Sequence, residues 1–79
     1  MKYDWKDTEN DNFYYYNTED GRVVGQVHNV IHTKIWIAKI IFNHNEELYL
    51  GQFIHSRFAM AAVERHWNVQ SRTLLEGDF

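Results

Sequence analysis

The sequence predicts an α+β domain: an antiparallel sheet of three to four strands with one C-terminal helix packed on one face. Three observations predict it. Aromatic and β-branched runs recur from residue 13 to residue 54, each bounded by a turn signal. Beyond Ser56 the apolar spacing lengthens from two residues to about 3.6, the period of a helix. The chain of 79 residues has room for one core, and its 44% hydrophobic and 16% aromatic content suffices to build it.

Taken in order, residues 1–12 read as an acidic polar leader to a single domain at 13–79, with Tyr3 and Trp5 available to anchor it. Phe13 to Asn17 is the first predicted strand. It ends in Asn17-Thr18-Glu19-Asp20-Gly21, where Asp-Gly signals a hairpin because glycine takes positive φ without steric cost. Residues 22–32 form the return strand, with Val23, Gly25 and Val27 on one face and Val24, Gln26, His28 and Val30 on the other. Gly25 inside this run predicts a bulge or a close backbone approach. A third strand spans 34–42, apolar on both faces, and a fourth spans 47–54 after the turn Asn43-His44-Asn45-Glu46.

A helix is predicted over 57–69, with Ser56 as its cap. Ala59, Ala62, Val63 and His66 share one face of it, and Ala59, Ala62 and Val63 form the predicted core with Trp36, Ala38, Ile40, Leu50 and Phe53. Leu74 and Leu75 remain to pack before the chain end frays. One helix covers one side of a sheet, so the other side meets water or a partner.

Charge is divided along the chain. Residues 1–20 carry Lys2 and Lys6 against Asp4, Asp7, Glu9, Asp11, Glu19 and Asp20, whereas Gly21 to Asn45 holds no acid at all. The net charge of −3 is far from the positive excess of a strong nucleic-acid binder. Absence of cysteine excludes a disulfide framework, a thiolate zinc site and a cysteine nucleophile. The longest apolar run, Ile35 to Phe42, is interrupted by Lys39 and is too short for a bilayer span. The first residues have no apolar signal-peptide segment. The expectation is a cytoplasmic protein without a membrane partner.

No catalytic or metal constellation stands out. His28 and His32 are four residues apart, which on a strand separates them by roughly 13 Å, too far to share an ion. Neither Ser56 nor Ser71 lies in a nucleophile elbow, Glu46-Glu47 point apart at a strand entrance, and the glycines form no phosphate loop. We therefore expect no enzyme, no cofactor and no metal.

Trp36-Ile37-Ala38-Lys39-Ile40, Leu48-Tyr49-Leu50-Gly51-Gln52-Phe53 and Ala59…Ala62-Val63-Glu64 together carry a resemblance. This stretch of about thirty residues resembles the ethylene-response-factor type of plant DNA-binding domain and the related arm-binding domains of phage integrases. The resemblance implies a three-stranded sheet backed by a helix, with the uncovered face reading DNA through arginines. At the matching positions this chain has Ile37, Lys39, Ile41, Glu47 and Tyr49, so only Lys39 is basic and the reading arginines of the family are missing.

The functional expectation is a small non-enzymatic module that binds a protein, or a second copy of itself, through the uncovered sheet face. Ile37, Lys39, Ile41, Tyr49, Tyr14, Tyr16, Arg22, Lys34 and His28 are its candidate binding residues. A homodimer is expected through that face or through an edge strand. The alternative is a weakly basic DNA-binding domain using Arg22, Lys34, Lys39 and the histidines.

Overall fold

The computed structural model describes residues 2–8 and 10–76, with side chains as far as Val69. Five strands, β1 (Tyr3–Thr8), β2 (Asn12–Asn17), β3 (Val23–Asn29), β4 (Trp36–Asn43) and β5 (Glu46–Phe53), precede one helix, α1 (Ser56–Glu76). The strands form a single antiparallel meander in chain order. The α+β class and the C-terminal helix agree with the sequence reading. The strand count does not: five strands stand where three to four were expected.

The additional strand is β1, drawn from the segment read as an acidic leader. It pairs with β2 from Tyr3↔Asn17 to Thr8↔Asn12. Alternation explains why so charged a segment joins the sheet. Tyr3 and Trp5 turn to the core while Asp4 and Lys6 turn to solvent. The Tyr3 ring stacks 5.5 Å from Tyr15, and Trp5 lies 4.8 Å from the same ring.

The core is a cluster of Tyr15, Val24, Val27, Ala38, Ile40, Ala59 and Val63, flanked by Phe13, Trp36, Leu50, Phe53, Met60 and Trp67. From α1, Ala59 and Val63 are fully buried, one turn apart on the same face. The helix lies across β3, β4 and β5. The β1–β2 end is closed by aromatics, with Tyr3 edge-on to Trp67 of α1 at 5.7 Å. A further tie comes from the Trp5 indole, whose Nε1–H donates to Glu64 Oε2 at 2.6 Å.

Gly25 shows both features predicted for it. The β2–β3 register shifts between Tyr15 and Tyr16, pairing Tyr15 with Gly25 but Tyr16 with Val23. Val24 is the extra residue of this bulge and turns inward, 1% exposed, so it does not share a face with Gln26 and His28 as their spacing predicts. A Cβ on Gly25 would lie 2.5 Å from Val63 Cγ1. Only hydrogen fits between β3 and α1 at that point. At the β2–β3 turn Gly21 takes φ +77°, as the Asp-Gly signal predicts, and Asn17 Oδ1 accepts from Glu19 N at 2.7 Å.

Other expectations shift at the helix. It runs to Glu76 rather than stopping near Val69. Its first bonds are accepted by the His55 carbonyl, from Phe58 N at 3.2 Å and Ala59 N at 3.3 Å, so His55 takes the capping place assigned to Ser56. Ala62 is half-buried and lines a groove between α1 and β5 instead of joining the sealed core. The expected packing of Leu74 and Leu75 lies outside the described side chains.

Candidate binding face

The side of the sheet opposite α1 is built by register. Lys6, Tyr14, Gln26, Lys39 and Tyr49 are successive cross-strand partners and make one row over the whole sheet. Thr8, Asn12, His28, Ile37 and Gln52 make the neighbouring row. On the other flank Asp4 pairs with Tyr16 and Tyr16 with Val23, while Ile41 pairs with Glu47. Partners in a row share a face, because side chains alternate along each strand between its bulges.

Of the residues singled out from sequence, Tyr14, Tyr16, His28, Ile37, Lys39, Ile41 and Tyr49 come together here. Arg22 and Lys34 do not belong to the strands. The Arg22 guanidinium folds onto the β4 backbone, donating from Nη2 to the Phe42 carbonyl at 2.6 Å. Lys34 sits exposed in the loop between β3 and β4. Sequence reasoning missed Lys6, Gln26 and Val23. Lys6 lies in the segment that reads as a leader, and Val23 reads onto the face opposite Gln26 because a bulge reverses alternation at a point no pattern locates. Gln26 was on the correct side of its strand but was not singled out; its amide donates to Asn12 Oδ1 at 3.3 Å.

Tyr49 is 57% exposed, while Tyr14, Tyr16, Val23, Ile37 and Ile41 are half-buried. The charges here balance: Lys6 and Lys39 are matched by Asp4 and Glu47. Lys39 Nζ lies 3.3 Å from Glu47 Oε1, a pair worth at most about 1 kcal/mol at this exposure. Its importance is electrostatic, since it neutralises the central cation. Burial lowers the pKa of His28, the Lys39 charge lowers it further, and Glu47 partly opposes them. These effects favour the neutral form of His28, whose buried Nδ1 has no hydrogen-bond partner among the described residues. Over the β1–β3 end of the face, Lys6, Tyr14, Tyr16 and Val23 border an open groove of about 710 Å³.

Among the described residues no group of three or more His, Cys, Asp or Glu gathers at metal-binding distance. None of the described helices is long and apolar enough to cross a membrane. No protein-family model matches the chain, and no curated protein or solved structure is significantly similar to it.

Proposed function

We propose that the chain is a non-enzymatic protein-binding module that acts through the open face of its sheet. The observation that carries this reading is the composition of that face. Three tyrosines, two isoleucines and Val23 stand within a charge-balanced surface of polar side chains. Tyrosine and aliphatic contact with few net charges is the make-up of protein interfaces. Duplex DNA demands the opposite, an excess of Lys and Arg to displace counterions. Here Lys39 is engaged by Glu47 and Arg22 by a backbone carbonyl, which weakens the DNA-binding alternative.

Ile37→Lys and Tyr49→Lys test the proposal, because both positions lie on the open face away from the sealed core. Affinity capture from the cells that express the chain should recover one protein with the wild type and lose it with either variant. Duplex DNA should show no shift at low salt. Micromolar duplex binding that disappears on Lys39→Glu would instead establish the DNA-binding reading.

A further inference from the structure

The two edges of the sheet are built differently. The β1 edge carries Asp4, Lys6 and Asp7 along its length, the usual protection against pairing with another chain. Among the described residues the β5 edge has no charge, proline or covering strand from Leu48 to Phe53, and its one irregularity there is a bulge at Leu50, where the β4–β5 register shifts. Around it gather most of the large apolar side chains that the described fold leaves exposed. Leu48 is 38% exposed, Tyr49 57%, Ile54 69% and Phe58 46%. On the helix side the surface continues into a groove where Leu50, Phe53, Phe58 and Ala62 meet.

We infer that β5 is the seam of a homodimer, in which two copies pair antiparallel through this strand and join their sheets into one. Charge selects both the occupant and the direction. Each β5 begins acidic, with Glu46 beside the Lys39-paired Glu47, and leads into Arg57 at the start of α1. An antiparallel two-fold brings the acidic start of one copy to the basic end of the other, twice over. A parallel arrangement would set like charges together. The strand is thus complementary to itself in one direction only. The apolar groove beside α1 then closes against its counterpart, and the open faces of the two copies become continuous. This inference does not rest on what the open face binds.

Sedimentation velocity on the full chain over a concentration series at neutral pH tests it. The wild type should be a dimer at high micromolar concentration. Leu48→Lys and Ile54→Lys should yield folded monomers, with far-UV circular dichroism unchanged because both sites are exposed. Each charge pair occurs twice across a two-fold, so Glu46→Lys or Arg57→Glu should weaken association by roughly tenfold. The combined charge reversal should restore it. A wild type that stays monomeric overturns the inference. A dimer indifferent to Leu48→Lys and Ile54→Lys, or dissociated by Ile37→Lys on the open face, also overturns it. Failure of the combined reversal to restore association would rule out the antiparallel seam.

Discussion

Val63 of α1 packs against the backbone of Gly25 in β3 so closely that a methyl group on residue 25 would meet its Cγ1 at 2.5 Å. The helix reaches this depth because the strand offers no side chain at the crossing. Gly25→Ala should therefore cost about 1–3 kcal/mol by overpacking. In urea denaturation the double variant Gly25→Ala/Val63→Ala should lose less than the sum of its single changes, since the smaller side chain makes room. Additive losses would show that the two residues do not share this contact.

Ala59 and Ala62 separate in the same way. Ala59 is sealed against the sheet, while Ala62 borders the α1–β5 groove. Ala59→Leu should lower stability by about 1–3 kcal/mol, whereas Ala62→Leu should stay within about 0.5 kcal/mol. Thermal melts of the two variants, compared with wild type, check the difference.

The tie between Trp5 and Glu64 fixes an edge strand to the helix over a separation of 59 residues in sequence. Trp5→Phe keeps an aromatic ring and removes the donor, so it should destabilise by about 1 kcal/mol, given partial burial of the pair. Hydrogen exchange should accelerate selectively in β1. Uniform acceleration over the sheet would mean that β1 is no separate unit of stability.

What the sequence reveals about this fold follows from which signals are local. The aromatic run Phe13–Tyr16, the Asp-Gly turn and the β-branched run in β4 each specify structure within a few residues, and these elements fall close to their predicted places. The strand β1 was not legible, because Asp7 interrupts its alternation and its strand character depends on rings contributed by Tyr15 and Trp67. The candidate face was partly legible for the same reason. Period-two spacing within β4 and β5 groups Ile37, Lys39, Ile41 and Tyr49, but the bulge at Val24 and the engagement of Arg22 by Phe42 are tertiary events.

Two titratable groups predict how stability changes with pH. His28 has its pKa lowered from 6.5 by burial and by Lys39, so the unfolded chain takes up its proton first on acidification. Its contribution is complete above pH 6.5 and is lost as pH falls through the lowered folded value. Burial, reinforced by Glu64, Tyr3 and Asp4, raises the pKa of Tyr15 above 10.0. That contribution is complete below pH 10.0 and fades as pH rises toward the raised folded value. Denaturation midpoints measured across pH should fall on both sides, and His28→Asn should flatten the acid side only.

Site-specific photocrosslinking reads out whether another protein binds at the open face of the sheet, as proposed. A photoreactive phenylalanine analogue replaces Tyr49 or Tyr14 on that face, or Ala61 on the exposed side of α1, in the full chain within the expressing cells. Positions 49 and 14 should yield one common protein adduct, and position 61 none of that mass. Adducts of that protein from position 61 alone, or adducts to nucleic acid from positions 49 and 14, would contradict the proposal.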